Sequence, residues 1–300
     1  MHLKLTAADK SDVGKQRDQN EDCAYQRIEP SEEGDRGLFI VADGMGGYKA
    51  GEVASRLAVE TISKTLDSFF KPISDQTTVK LPAPAADFDP DAPTVKLSPS
   101  MVSPSTIDKQ QKTRKLPETP QYQRIEEQLK IAVEQANKAI LQYGEKQSAA
   151  RGLGCTLTAA LIHNDKAYIA NVGDSRTYLF REDALLPLTR DHSLVARLVE
   201  SKQIEPEDVY THPQRNLIYR SLGAGHKNIE VDIFHQTLLA GDMLLLCSDG
   251  LWEMVRDEDL RKVLSEKVSP QQICNTLIDM ANANGGEDNI SAVVVQINES

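Results

Sequence analysis

Residues 38–47 read Leu-Phe-Ile-Val-Ala-Asp-Gly-Met-Gly-Gly. Five consecutive apolar residues predict a short buried strand, and Asp43-Gly44 ends it in a turn. Beyond the glycines the period changes. Ala50, Val53, Ala54, Leu57, Ala58, Ile62, Leu66 and Phe69 fall at helical spacing, which predicts a long amphipathic helix over 49–70. A second such helix is predicted over 121–146, with Ile125, Leu129, Ala132, Val133, Ala136 and Ile140 on one stripe.

Further along, residues 154–162, 165–172 and 175–181 are short runs with β-branched or aromatic residues, and Asn164-Asp165 and Gly173-Asp174 supply hairpin turns. Residues 229–239, 242–248 and 290–297 add three strands. Helices are predicted at 193–203, 257–266 and 270–283, the last with Pro270 at its start, where the missing N–H costs nothing. Strands in hairpin-like runs, rather than strict strand–helix alternation, predict an α+β layered domain of antiparallel sheets covered by helices.

Residues 71–120 differ from the rest. They hold nine of the 14 prolines and many Ser and Thr, and Thr78-Val-Lys-Leu81 recurs as Thr94-Val-Lys-Leu97. Such composition predicts a disordered or extended insertion, at about 71–120, in a single domain spanning 1–300. An inert linker is the favoured reading; a docking or phosphorylation segment is the alternative.

The composition sets outer limits. Apolar residues make up 40% but aromatics only 5%, so aliphatic side chains must fill the core. A formal charge of −11 argues against nucleic acid and anionic membranes as partners. Cys23, Cys155, Cys247 and Cys274 form no CxxC pair, and Cys155 and Cys247 read as small core residues. No signal peptide and no apolar run of about 20 residues is visible, so a reduced, cytoplasmic protein is expected.

Acidic residues stand at the ends of several predicted elements: Asp43 after the first strand, Asp174 after 165–172, Asp249 after Leu244–Ser248, and Asp288 before the last strand. Glu21 and Asp22 precede a further short strand. One such aspartate is as readily a turn residue or helix cap. Four at strand ends can converge on one rim of a layered domain, and convergent carboxylates repel unless a hard cation sits among them. Oxygen-only ligation suits Mg²⁺ or Mn²⁺, and no His/Cys cluster competes for zinc.

Arg17-x-x-Asn-Glu-Asp22, Val41-Ala-Asp-Gly-Met-Gly-Gly47, Gly154-Cys-Thr156, Asn171-Val-Gly-Asp-Ser-Arg176, Leu188-Thr-Arg-Asp-His-Ser193, Ser248-Asp-Gly-Leu251 and Glu287-Asp-Asn-Ile290 occur in the order of the protein phosphatase 2C-like, metal-dependent phosphatases. The bacterial branch is the more similar, through Asp-Gly-Met-Gly-Gly and the His212-Pro-Gln-Arg215 stretch. The resemblance runs from about residue 5 to 297 and skips 71–120. It implies a four-layer α-β-β-α sandwich, with two antiparallel β-sheets flanked by antiparallel helix pairs, and a metal-dependent serine/threonine protein phosphatase. By this resemblance Asp43 bridges two catalytic Mg²⁺ or Mn²⁺ ions, and Asp249 and Asp288 complete the first site. The Gly44 carbonyl serves the second, with Glu21 or Asp22 nearby. Asp174, with Asp249, matches a third, weaker metal position of several members. Arg17 matches the phosphate-binding arginine.

Two metals about 3.5–4 Å apart neutralise a phosphomonoester and lower the pKa of a water between them. That water attacks phosphorus directly, without a phosphoenzyme. No Cys-x5-Arg loop is present to support cysteine chemistry. Animal and plant relatives often carry, at Met45, a histidine assigned as the acid for the leaving alkoxide. Methionine has no proton to give, so a metal-coordinated water is expected in that role. His192 reads as structural, beside a helix start, and His163 as a surface residue. Residues 193–225, with Glu205, Glu207 and Asp208, read as an exposed lid that modulates substrate choice. Expected partners are phosphorylated proteins and a Ser/Thr kinase with its substrates, for a monomeric enzyme. Two alternatives are a phosphoprotein-binding pseudophosphatase and a dedicated regulator that dephosphorylates one signalling partner.

Overall fold

Leu38, Phe39, Ile40, Val41 and Ala42 are completely buried, in a strand that runs Arg36–Met45. Successive side chains on a strand face opposite ways. Phe39 and Val41 pack with Leu5, Ile169, Leu179, Leu244 and Val293. Leu38, Ile40 and Ala42 pack with Ala54, Ile62, Leu129 and Val133. Both faces are therefore core, which is why the run shows no polar alternation.

The protein was analysed as a computed structural model that describes residues 2–32, 34–46, 50–71, 121–147 and 152–299. Apart from Lys71, the insertion expected at 71–120 lies outside the described residues. The strands are β1 (Leu3–Asp12), β2 (Asp22–Glu29), β3 (Arg36–Met45), β4 (Gly154–Cys155), β5 (Leu157–His163), β6 (Lys166–Val172), β7 (Arg176–Arg181), β8 (Ala184–Pro187), β9 (Leu222–Gly223), β10 (Asp232–Thr237), β11 (Met243–Cys247) and β12 (Ile290–Glu299). The helices are α1 (Ala50–Thr65), α2 (Asp67–Phe70), α3 (Gln121–Lys146), α4 (Leu194–Glu200), α5 (Asp249–Trp252), α6 (Asp257–Leu264) and α7 (Pro270–Ala283).

Among the described residues the strands make two antiparallel sheets. One has five strands in the order β1-β12-β11-β7-β8. The other has seven: β10-β6-β5-β3-β4-β9, with β2 also on β3. α1 and α3 cover the outer face of the larger sheet. α6 and α7 cover the smaller one. A third apolar cluster fills the space between the sheets. The result is the expected α-β-β-α sandwich. α7 starts as its sequence predicts: Pro270 occupies the first turn, and Ser269 and Gln272 form a capping box.

Thr158 and Thr177 tie the two sheets together, because β5 and β7 belong to different sheets. Their hydroxyls are 2.7 Å apart and fully buried. Replacing either by valine leaves the other hydroxyl without its partner, at a cost of roughly 1–3 kcal/mol. Replacing both removes the buried polar atoms together. Urea unfolding of T158V, T177V and the double variant is expected to show a double cost well below the sum of the singles. An additive result would contradict this account.

Several boundaries differ from the sequence reading. The run 154–162 is two strands, because Thr156 leaves the ladder. Its N–H donates to the Asp43 carbonyl at 2.8 Å, and its hydroxyl meets that of Ser175 at 2.7 Å. The helix predicted over 49–70 breaks at Leu66, giving α1 and α2. The strand predicted over 229–239 shortens to Asp232–Thr237, and the helix over 193–203 to Leu194–Glu200. β1 and β8 have no counterpart in the sequence reading. His163 is half-buried rather than a surface residue, its ring edge-on to Phe69 with centroids 5.3 Å apart.

Candidate metal centre

Three chain segments meet at one end of the sandwich. β3 reaches it with Asp43, directly opposite Asp22 of β2. β11 reaches it and runs through Ser248 into α5, which starts at Asp249. β12 leaves it just after Asp288. Ser248 joins the two sheets there: its hydroxyl donates to Asp22 Oδ2 at 2.7 Å and accepts the Ser291 N–H at 2.9 Å.

A cavity of about 470 Å³ opens at this end, lined by Arg17, Glu21, Asp43, Gly44, Met45, Thr156, Asp174, Asp249 and Asp288, with Asn216 and Ile218 from the segment after α4. The fold thus brings seven of the sequence candidates to one space. Asp22 stands behind it, with its carboxyl facing Ser248. A larger opening, about 920 Å³, lies among residues such as Asn164, Leu239 and Glu299 and holds none of these acids.

The local backbone explains the close gathering. Gly44 gives its N–H to the Glu21 carbonyl at 3.1 Å, and a Cβ there would stand 2.3 Å from the Gly51 carbonyl oxygen. A Cβ at Gly51 would stand 2.7 Å from the Glu21 carboxyl carbon, so its absence lets that carboxylate fold against the start of α1. Ser55 donates to the Glu21 carbonyl at 2.6 Å. Arg17 reaches Asp288 Oδ2 at 2.6 Å from a half-exposed position.

Asn289 was not singled out in the sequence, yet it fastens the whole Arg17 loop. Its Oδ1 accepts the Glu21 N–H at 2.7 Å, and its Nδ2 donates to the Val13 and Gln19 carbonyls, each at 2.9 Å. Its mark in the sequence is its place beside Asp288 in Glu287-Asp-Asn-Ile290. Thr156 was quoted within a motif but given no role, and Asn216 and Ile218 carry no local mark in the sequence. His192 lies outside the cavity lining and is buried, as its structural reading implied.

The electrostatics are those of acids crowded together. Burial, then Asp249 and its neighbours, push Asp43 well above the ordinary carboxylate range. Burial, then Asp174 and Asp288, do the same to Asp249. Burial raises Asp22 to about 6 and, helped by Asp191, Asp174 to about 7. Among the described residues no three acidic, histidine or cysteine side chains already form a finished metal cage. Repulsion keeps such a set apart until a cation offsets it. The donors are all hard oxygens, and Asp22 Oδ1 is buried with no hydrogen-bond partner in the structure. This set fits Mg²⁺ or Mn²⁺.

A pH dependence follows. In the metal-free folded protein Asp22 and Asp174 keep their protons to about pH 6 and about pH 7, whereas unfolded aspartates lose them near 3.9. Between those limits the folded state binds more protons, so its stability falls as pH rises. The melting temperature in EDTA is expected to drop by several degrees from pH 5 to pH 8, and saturating Mn²⁺ is expected to remove the drop. Calorimetry showing a steady rise in EDTA would contradict this.

Comparison with known proteins agrees with these features. The family model "Protein phosphatase 2C" matches residues 16–289. The serine/threonine phosphatase stp of Listeria innocua is 35% identical over 261 residues, covering 87% of this chain and 84% of that protein. The serine/threonine protein phosphatase PstP of Mycobacterium tuberculosis is 33% identical, covering 98% of this chain and 45% of that longer protein. The crystal structure of the PstP catalytic domain in complex with two manganese ions superposes with a TM-score of 0.71 at 30% identity, covering 99% of this chain and all of that one.

Proposed function

This chain belongs to the protein phosphatase 2C family and is a protein-serine/threonine phosphatase of the bacterial type, and from that premise we propose that Asp43, Asp249 and Asp288 hold two divalent metal ions at which phosphoserine and phosphothreonine are hydrolysed directly by water. The observation that carries the proposal is the convergence of these half-buried, mutually repelling carboxylates on one cavity. When bound, the two ions supply a nucleophilic hydroxide at neutral pH and offset the charge of the phosphate.

The chain's own residues have separate tasks. Asp43 stands opposite Asp22 on paired strands and would serve both metal positions. Asp249 and Asp288 complete one. The Gly44 carbonyl, with Glu21 or Asp22, serves the other. Asp174 and Asp249 form a third, weaker position. Arg17 binds the substrate phosphate through its planar guanidinium; its ion pair with Asp288 holds it at the rim, half-exposed, before substrate arrives. Met45 lines the cavity but carries no proton, so the leaving alkoxide takes its proton from solvent beside Asp174. Asn216 and Ile218 bring the segment after α4 to the cavity wall, where it meets the peptide around the phosphoresidue.

We place the enzyme in the cytoplasm, where its four unpaired cysteines stay reduced and a Ser/Thr kinase supplies its phosphoprotein substrates. We take it to act as a monomer. The deciding experiment is hydrolysis of a phosphothreonine peptide with Mn²⁺, with Mg²⁺ and with EDTA. Turnover is expected with either metal and none with chelator. Undiminished turnover in EDTA would overturn the two-metal reading.

A further inference from the structure

We infer that Trp252 and His192 are positioning residues, which grip the Gly173–Asp174 bend from both sides and so fix where the Asp174 carboxylate stands in the cavity. This rests on the reading of Asp174 as a working carboxylate of the site.

His192 is buried, at 3% exposure, and its Nδ1 accepts the Gly173 N–H at 3.0 Å. The backbone N–H of His192 donates to the Gly173 carbonyl at 2.8 Å. A ring nitrogen that accepts carries no proton, so the proton of the neutral ring is on Nε2. Nε2 faces Asp232 Oδ2 at 3.2 Å and lies 3.1 Å from Arg220 Nη1, which donates a hydrogen bond to Asp232 Oδ1 at 2.9 Å. Asp232 thereby selects the tautomer that leaves Nδ1 free to hold Gly173.

The second grip comes from α5, which follows β11. Trp252 Nε1 donates to the Asp174 carbonyl at 3.0 Å. Any buried indole N–H needs an acceptor. What gives this one a position-setting role is the location of both ends. Trp252 lies one helical turn after Asp249 in α5, so a single bond fixes the spacing of Asp249 and Asp174. The fields of these two carboxylates act on each other.

Both grips share one brace. The Arg176 guanidinium lies 3.6 Å over the Trp252 ring and forks onto Asp191, the residue before His192, at 2.7 and 3.1 Å. The bend is also held by Asn171 Nδ2, which donates to the Gly173 carbonyl at 3.3 Å, and by the Ser175–Thr156 hydroxyl pair at 2.7 Å. Gly173 has φ +111°, and a Cβ there would stand 2.5 Å from that of Thr156.

The test compares Trp252→Phe, which keeps a ring under Arg176 but removes the N–H, with Asp174→Asn and with the double variant. Activity on p-nitrophenyl phosphate at saturating Mn²⁺ is the readout. Trp252→Phe is expected to lower kcat about tenfold with KM unchanged. Added to Asp174→Asn it is expected to cost nothing more, because both act through one carboxylate. Multiplying defects, or a wild-type Trp252→Phe beside an impaired Asp174→Asn, would overturn the grip alone. An Asp174→Asn enzyme with wild-type kcat would overturn the reading of Asp174 and the grip with it. Should Trp252→Phe not fold, His192→Phe and His192→Asn decide. Asparagine returning an acceptor and restoring kcat supports the inference; equal loss in both overturns it.

Discussion

Asp249→Asn is expected to lower kcat about a thousandfold while the metal-free variant melts at a higher temperature than metal-free wild type. The two effects have one cause. Asp249 is half-buried, and desolvation, then the fields of Asp174 and Asp288, push its proton affinity far up. Without a cation that carboxylate destabilises the fold, and a neutral amide of the same shape relieves it. With cations bound the balance reverses, because one negative ligand of the proposed first site is gone. Lewis-acid stabilisation of the transition state is worth several kcal/mol. Losing about 4 kcal/mol of it corresponds to roughly a thousandfold in rate. Mn²⁺ raises the wild-type melting point by binding only the folded state, and Asp249→Asn is expected to lose most of that rise. Kinetics and calorimetry on the same samples check both parts. An Asp249→Asn protein that keeps a tenth of the activity, or melts lower than wild type in EDTA, would refute the assignment.

Gly250→Ala is expected to cost about 3 kcal/mol of stability and about a hundredfold in kcat/KM. The new Cβ would stand 2.1 Å from the Asn289 carbonyl oxygen, a backbone atom that no rotamer change can move. Overpacking of this kind costs typically 1–3 kcal/mol. The loss of activity comes from what Asn289 holds. Its side chain fastens Val13, Gln19 and Glu21, and its backbone N–H donates to Asp288 Oδ1 at 2.8 Å. Pushing Asn289 outward therefore shifts Asp288, Glu21 and the Arg17 loop together, and a displacement near 1 Å can cost a hundredfold. Gly225→Ala is the control. Its Cβ meets nothing, and only its φ of +84° is strained, at about 1 kcal/mol. Equal effects of the two substitutions on kcat/KM would contradict the steric account.

The long helices and the central strand were legible because burial acts on them uniformly. α3 spans the 121–146 that its apolar stripe predicts, and β3 is apolar on both faces. β1 was not legible. It reads Leu-Lys-Leu-Thr-Ala-Ala-Asp-Lys-Ser-Asp, and only Leu3, Leu5 and Ala8 are buried, since it lies at a sheet edge. Asp43, Asp174, Asp249 and Asp288 were found because acids beside turn residues at strand ends are conspicuous. Asn289 acts through three backbone contacts to residues some 270 positions away, which local pattern cannot carry. Asn216 and Ile218 reach the cavity through the path of an irregular segment, and Thr156 through leaving a ladder. Tertiary geometry alone places these.

The pairing of β1 with β12 has a consequence for synthesis. Leu3–Asp12 lies in register against Ile290–Glu299, and β12 also separates β1 from β11. The earliest strand therefore finds its neighbour only when residues 290–299 emerge from the ribosome. At about 5–20 residues per second, β1 waits more than ten seconds for it. Asp288 emerges just before β12, so the proposed metal site cannot assemble before the five-stranded sheet closes.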